Sequence, residues 1–342
     1  MVIKRRLAGC AAVLLVVAGL AACGTKEKAG SGGGGATETI KIALHFNVPQ
    51  PSWIGIYMAQ EKGFYTAQGI QLDLQYLKGS TLAVQSTGSG QSQIGLAAPD
   101  SVLAGKDKNL PVTVVANHIQ NDATGVILKS KEPVSGLDAL RGKTIATAQA
   151  SAEAGLFAAQ LKQRGLTDKV TVLNVDAQAK CTLMLSGKAD GCTGFSYAQF
   201  IQMQLKGEDV QFIPFSSPDR PLPGAVIMVN NNYLAQHADV VKRFLQATYQ
   251  GYQAAEKDQA GSIALIQKLD TTDPADQLAK AVPIIFQLSH SDRTRDNGWG
   301  AMTDAVWQNL VDELVSGAVL KTAPDLKGLY ANDYLPADRS WT

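Results

Sequence analysis

The chain has 342 residues, and its 31 basic residues nearly balance its 30 acidic ones. A protein without a basic surplus is not expected to bind nucleic acid. The length exceeds the usual size of a single hydrophobic core, so we expect the folded part to contain two lobes.

The N-terminus has the pattern of an export signal. Basic residues at positions 4–6 precede an apolar segment over 8–20, which is too short to span a bilayer comfortably. The sequence LAAC that ends at Cys23 resembles the lipobox of bacterial lipoproteins, in which cleavage before the cysteine exposes a thiol that takes the lipid. We predict a signal peptide over residues 1–22 and a lipid on Cys23. The alternative is an ordinary secretory signal whose cysteine has no role.

Residues 23–37 form the predicted linker. Lysines, a serine and four consecutive glycines are typical of flexible coil, and no large apolar residue is present to anchor a fold. Removal of residues 1–22 leaves 28 basic and 30 acidic residues. From the signal peptide, the lipid on Cys23 and the linker, we expect a protein anchored at the extracytoplasmic face of the cell membrane, with its folded part starting near Glu38. We expect this protein to be a monomer.

Two cysteines, Cys181 and Cys192, remain beyond the lipidation site. Their spacing is not that of a metal site, and an exported protein folds in an oxidising compartment. They form either a disulfide or two separately buried thiols.

From residue 39 onward, short β-rich runs alternate with helix-length segments, which is typical of a parallel α/β sheet. The predicted strands span residues 40–46, 70–77, 93–97, 112–120, 143–147, 171–175, 190–193, 210–214 and 225–229. The predicted helices span residues 52–62, 80–87, 99–106, 152–164, 179–185 and 197–206, with most of the chain beyond 238 also helical.

Two segments, 117–124 and 216–224, are predicted to cross between the lobes. The first lobe then comprises residues 38–120 and 225–342, and the second comprises residues 121–224. Two crossing strands suit closure of the lobes around a ligand.

The segment over 136–144, GLDALRGKT, resembles a phosphate-binding loop that ends in Gly-Lys-Thr. Five residues separate its glycines instead of four, and it precedes a strand where that loop follows one. We expect a turn of helix there, without nucleotide binding.

We expect no enzyme, no metal and no cofactor. The four histidines have no ligand spacing, and the chain has no Gly-x-Ser-x-Gly elbow. Asp100, Asp122 and Glu153 could in principle cooperate as carboxylates, but we favour a solvated or capping role for each of them.

Loops at the carboxyl ends of strands are where open α/β sheets bind ligands. Polar and aromatic residues in these loops are the candidate ligand-binding set, which comprises Phe46, Trp53, Ser80, Thr81, Asp100, Gln120, Asn121, Gln149, Ser151, Phe195 and Tyr197.

An aromatic ring held between Trp53 and Phe195 or Tyr197, with Asp100 at the edge, would make a suitable cleft. Simple core packing is the alternative for Trp53. For Ser80 the alternative is an ordinary N-cap, although a helix start there would also suit an oxyanion.

Four segments of the chain resemble successive blocks of the solute-binding lipoproteins of ATP-driven importers. They are FNVPQPSWIGIYMAQEKGFYTAQGIQLDL, IGLAAPDSVLAGKDKNLPVTVVANHIQ, GLDALRGKTIAT and NNNYLAQHADVVKRFLQATYQGY. More narrowly, they resemble the group that binds thiamine pyrimidine precursors, with riboflavin, nitrate, sulfonate and taurine binders as relatives. The resemblance implies the two-lobe periplasmic-binding-protein fold (type II) with two interlobe crossovers, and Trp53 as an aromatic cleft wall.

The implied function is capture of a small heteroaromatic ligand, such as hydroxymethylpyrimidine, formylaminopyrimidine or riboflavin, and its delivery to a membrane permease and ATPase. A binding protein for nitrate, taurine or an alkanesulfonate is the alternative. A eukaryotic branch of the family makes the pyrimidine with a cysteine-rich segment, but the corresponding residues 222–228 contain no cysteine here. A sensor or adhesion lipoprotein is a third possibility.

Overall fold

The computed structural model describes residues 37–148 and 152–341. These residues form two five-stranded sheets, each with helices around it. In the first sheet the order is β2-β1-β3-β10-β4. Its strands are β1 (Glu38–Leu44), β2 (Ile70–Tyr76), β3 (Ile94–Ala97), β4 (Val112–Asn117) and β10 (Val226–Asn230).

The second sheet has the order β7-β6-β8-β5-β9. Its strands are β5 (Thr124–Lys129), β6 (Thr144–Ala148), β7 (Thr171–Val175), β8 (Gly191–Phe195) and β9 (Val210–Pro214).

Helices connect the strands and cover the sheets. The first part of the chain contains α1 (Ile54–Glu61), α2 (Phe64–Ala67), α3 (Ser80–Gly88) and α4 (Pro99–Asp107). The middle part contains α5 (Ala152–Gln163), α6 (Lys180–Leu185) and α7 (Gln199–Leu205). The last part contains α8 (Asn231–Gln236), α9 (Ala238–Lys257), α10 (Gln259–Leu269), α11 (Ala275–Ser289), α12 (Asp292–Asn297) and α13 (Asp304–Ser316). Turns of 3-10 helix lie at Pro51–Trp53 and Leu137–Leu140.

The expectation of purely parallel sheets is wrong. Strand β10 runs antiparallel to both β3 and β4, and β5 runs antiparallel to both β8 and β9. Each of these strands enters its sheet directly from a crossover, without the helix that a parallel connection requires. Strand β5 was also absent from the predicted strands, although its interior is apolar.

Residues 118–123 lead from the first sheet to the second, and residues 215–225 lead back. Two helices beyond the return also contact the second sheet's helices: α11 packs on α7, and α13 packs on α5. The return segment is tied to α13 by Arg220, whose Nε lies 2.9 Å from Oε1 of the fully buried Glu313. The two lobes therefore meet at helix contacts as well as at the crossovers.

The largest core cluster lies between the first sheet, α1 and α9. Gly251 in α9 permits this packing, because a Cβ atom there would overlap the carbonyl oxygen of Gly55 and lie 2.7 Å from the Ala59 Cβ. The helices can approach this closely only without a side chain at that point.

Substitution of Gly251 by alanine is therefore expected to lower the free energy of unfolding by about 1–3 kcal/mol. Urea denaturation would measure the change. Lys257→Ala, on an exposed turn of the same helix, is the control and should change stability by less than about 0.5 kcal/mol. Equal stability of the two variants would contradict the packing argument.

Cys181 and Cys192 are joined by a disulfide. The bond links the first turn of α6 to β8 in the second lobe. Within the described residues, no helix is both long and apolar enough to cross a membrane. The predicted signal peptide, Cys23 and almost all of the predicted linker lie outside the described residues.

Candidate ligand-binding cleft

Aromatic rings cluster where the chain leaves β1. The ring of Phe46 lies 4.5 Å from that of His45 and 5.9 Å from that of Trp53, measured between centroids. Trp53 is fully buried and also contacts the rings of Tyr57 and Tyr76. Trp53 thus belongs to the core and at the same time supports Phe46 at the carboxyl edge of the first sheet.

The second lobe supplies an aromatic group to the same place. Phe195, the last residue of β8, lies 6.3 Å from Phe46 in an edge-to-face arrangement and 5.6 Å from Tyr197. Burial raises the pKa of Tyr197 above its ordinary value, and a hydrogen bond with Ser52 of the first lobe opposes that effect. The structure therefore brings Phe46, Phe195 and Tyr197 together across the two lobes.

The charges of two carboxyl groups, Asp122 and Glu153, reach Tyr197 and add to the rise of its pKa. Burial raises the pKa of Asp100 to about 6, and hydrogen bonds with Ser101 and with its own backbone oppose the rise. Burial also raises the pKa of Asp122 to about 6, although Asp122 accepts hydrogen bonds from the backbone and hydroxyl of Thr124. The negative charges of Asp100 and Glu153 add to the rise at Asp122, which places the three carboxyl groups within electrostatic range.

No group of three or more His, Cys, Asp or Glu residues within the described ranges is arranged to hold a metal ion.

Ser80 is the first residue of α3, but it is not the N-cap. Gly79 occupies the N-cap position with a φ of 103°, a region that favours glycine. The Ser80 Oγ accepts a hydrogen bond of 3.0 Å from the backbone of Ala98, so it joins the loops that follow β2 and β3. Thr81 beside it is exposed.

In the second lobe, a buried ion pair lies beside the carboxyl ends of β6 and β8. Lys180 and Glu153 are each 4% exposed and form a direct salt bridge. The Thr193 hydroxyl donates to Glu153 over 3.3 Å and exchanges a 2.9 Å hydrogen bond with Thr147. The disulfide connects the neighbours of Lys180 and Thr193, so it braces both groups that hold Glu153.

The side-chain amide of Gln120 is fully hydrogen-bonded to other protein groups. Its amide nitrogen donates to the carbonyl oxygens of Asn117 and Ala301, and its amide oxygen accepts from Ser291 and Arg293. Because the side chain is fully buried and its bonds are made, we do not assign it to the ligand.

Asn121 holds the same crossover from its other side. Its amide nitrogen donates to the carbonyl oxygen of His290 over 2.9 Å, and its amide oxygen lies 3.5 Å from the Arg293 guanidinium. Arg293 also donates to the Gln120 carbonyl oxygen over 2.7 Å. Gln120 and Asn121 thus position the crossover instead of offering free groups to a cleft.

Gln149 and Ser151 lie outside the described residues. Sequence reasoning missed Lys180, Arg293 and His118, a buried histidine just after β4. Only the position of His118 at a strand end could have indicated it, because the partners of Lys180 and Arg293 are distant in sequence.

The NMT1/THI5-like family model matches residues 50–262, which is more than half of the chain. The chain belongs to the NMT1/THI5-like family.

Two binding proteins are similar in sequence to almost the whole chain. The formylaminopyrimidine-binding protein of Halalkalibacterium halodurans is 21% identical over 310 residues, which cover 88% of this chain and 91% of the relative. The riboflavin-binding protein RibY of Chloroflexus aurantiacus is 22% identical over 311 residues, with coverage of 87% and 86%. These matches confirm the family resemblance predicted from the four sequence blocks.

A solved structure gives the same result for the fold. The periplasmic aliphatic sulphonate binding protein SsuA from Escherichia coli superposes with a TM-score of 0.65 over 89% of this chain and 92% of that chain, at 13% identity. At this identity the likeness concerns the fold alone. It confirms the predicted two-lobe periplasmic-binding-protein fold of this NMT1/THI5-like chain.

Proposed function

We propose that this protein is the extracytoplasmic solute-binding component of an ABC importer, which captures a small heteroaromatic ligand between its lobes and delivers it to the permease. Thiamine pyrimidine precursors and riboflavin are the favoured ligand classes. The two relatives named above bind ligands of these kinds, which supports the proposal.

The observation that carries the proposal is the aromatic contact between the lobes, with carboxyl groups next to it. Phe46 and Phe195 approach from opposite sheets, which suits a flat ring that bridges them. Asp100 and Asp122 can only accept hydrogen bonds when ionised, so they favour a ligand with N–H donors.

The same carboxyl groups disfavour the alternative ligands. A sulfonate or nitrate carries negative charge and offers only acceptors, and a nearby carboxylate repels it. Lys180, a buried lysine at this edge, is already paired with Glu153. The likeness to a sulphonate-binding protein is a likeness of fold and does not outweigh this charge pattern.

The proposed ligand-contacting set spans both lobes. It comprises Phe46, Trp53, Ser80, Thr81, Asp100, Asp122, Phe195 and Tyr197, and the predicted roles of Gln149 and Ser151 stay predictions. A ligand that contacts both lobes stabilises the closed form relative to the open one, and closure is what a permease would recognise. We further propose a monomer tethered by a lipid on Cys23, so that the linker keeps the receptor near its permease.

A thermal-shift panel of hydroxymethylpyrimidine, formylaminopyrimidine, riboflavin, taurine, an alkanesulfonate and nitrate tests the proposal. A true ligand at 100 times its Kd should stabilise the protein by about 2.7 kcal/mol. Phe195→Ala, which removes the second-lobe ring, should abolish most of that shift. Stabilisation by taurine or the alkanesulfonate alone would instead establish the alternative, and conversion of a pyrimidine into product would show an enzyme.

A further inference from the structure

His118 is a fully buried histidine, with an exposed fraction of 0%. Among the residues that the structure describes, neither its Nδ1 nor its Nε2 has a hydrogen-bond partner. The indole N–H of the fully buried Trp53 also has no partner among these residues. Buried polar groups are almost always hydrogen-bonded, so these nitrogens require an explanation.

Packing does not explain the choice of histidine at this position. A phenylalanine ring would fill a similar volume without leaving polar atoms unpaired. Burial, with the nearby His45, lowers the pKa of His118 to about 3, so the imidazole is neutral. A neutral imidazole offers one N–H donor and one acceptor nitrogen.

The two side chains lie at the carboxyl edge of the first sheet. His118 directly follows β4 and begins the first crossover, and its ring centroid lies 5.8 Å from that of Tyr252. The Tyr252 hydroxyl donates to the carbonyl oxygen of Ser52 over 2.8 Å, and Ser52 is the residue that meets Tyr197 of the second lobe. A chain of direct contacts thus connects His118 to the interlobe contact.

A second series of contacts connects Trp53 to the same place. Its ring lies 5.4 Å from that of His45, whose Nδ1 is held by the carbonyl oxygen of Leu96 over 3.0 Å. Trp53 and Phe46 are themselves 5.9 Å apart. The unpaired nitrogens therefore belong to two residues: Trp53, which packs in the cluster of aromatic rings with His45 and Phe46, and His118, which connects to Tyr197 through Tyr252 and Ser52.

We infer that His118, together with the Trp53 indole N–H, is a specificity-determining contact that hydrogen-bonds a ring nitrogen or carbonyl oxygen of the heteroaromatic ligand. This inference rests on the proposed function and adds the recognition of an acceptor on the ligand. The carboxyl groups of Asp100 and Asp122 accept hydrogen bonds from ligand N–H groups, whereas the nitrogens of His118 and Trp53 complete the pattern by donating. In a ligand with an amino group beside a ring nitrogen, the amino group donates to the carboxyl groups and the ring nitrogen accepts from His118 or Trp53.

His118→Phe tests the inference with formylaminopyrimidine and its benzene analogue, in which C–H groups replace both ring nitrogens. In the unaltered protein the pyrimidine should bind at least about tenfold more tightly than the analogue, because the analogue leaves the donors unpaired. His118→Phe should remove this preference while leaving Tm unchanged or raised. His237→Phe, at the opposite end of β1, is the matched control and should keep the preference.

Labelling of histidine with 15N gives a second readout in the full chain. Addition of the pyrimidine should shift the ring nitrogens of one histidine, and the signal should be missing in His118→Phe. An unchanged preference in His118→Phe, or no shift on addition of a pyrimidine that binds, would overturn the inference and leave the proposed function intact. Failure of the unaltered protein to bind any heteroaromatic ligand would instead overturn the proposed function.

Discussion

Lys180→Met is expected to lower the free energy of unfolding by about 3–5 kcal/mol. Lys180 and Glu153 are buried together at the edge of the second sheet, and within residues 37–148 and 152–341 the further partner of the Glu153 carboxylate is the Thr193 hydroxyl. Methionine fills a similar volume but leaves a carboxylate without a counter-charge in a poorly solvated place. Breaking one half of a buried pair costs more than removing both halves.

Urea denaturation of three variants would test this expectation. The double variant Lys180→Met with Glu153→Gln should regain most of the lost stability, since no buried charge remains. Lys131→Met is the matched control, because its partner Asp209 lies 3.9 Å away and both side chains are well exposed. A similar small loss, below about 1 kcal/mol, for Lys180→Met and Lys131→Met would show that the Lys180 pair does not stabilise the lobe.

The affinity for the heteroaromatic ligand is expected to fall as much as about a hundredfold between pH 7 and pH 5. Asp100 and Asp122 each have a pKa of about 6 because of burial, so both change from mostly ionised to mostly protonated over this range. Each carboxylate that must accept a ligand hydrogen bond lowers the affinity by about tenfold per pH unit below its pKa, down to the pKa of the same group in the complex. Asp100→Asn and Asp122→Asn should each remove about half of the logarithmic change.

Isothermal titration of the same ligand at pH 7, 6 and 5 would measure this dependence. Retention of the full pH dependence in both asparagine variants would assign it to the ligand and contradict the role of the two carboxyl groups. Tighter binding at pH 5 would instead indicate that an anionic ligand is repelled by them.

The ligand-free protein should show two opposite effects of pH on stability. The raised pKa values of Asp100 and Asp122 give a contribution that is fully present below 3.8 and is lost as the pH rises through about 6. The lowered pKa values of His45 and His118, about 4 and about 3, give a contribution that is fully present above 6.5 and is lost as the pH falls through those values. Ligand binding therefore provides a clearer test of the carboxyl groups than thermal stability alone.

Local patterns account for most of the strands and for part of the site. The strand 171–175 was predicted with the observed bounds of β7, and 210–214 with those of β9, because alternation and flanking turn residues are properties of neighbouring positions. The same reasoning placed Phe46 and Phe195 at strand ends, and the structure brings their rings to 6.3 Å.

Other features depend on partners that are distant in the sequence. The sequence places Gln120 at a strand end as an amide available to a ligand. In the structure, however, its amide oxygen accepts a hydrogen bond from Arg293, 173 residues away. Strand β5 follows a crossover, and its place between β8 and β9 is set by antiparallel pairing with residues 191–195 and 210–214.

The sequence by itself determined most of the secondary-structure elements, the two-lobe fold and the aromatic residues at the strand ends, since these follow from local periodicity and recognisable blocks. Only the tertiary structure decided which polar groups are free and which are satisfied. Lys180 pairs with Glu153 and Gln120 with Arg293, whereas the nitrogens of His118 and Trp53 have no partner within the described part of the chain. Hydrogen bonding and desolvation depend on what surrounds a group in space, which local sequence patterns do not specify.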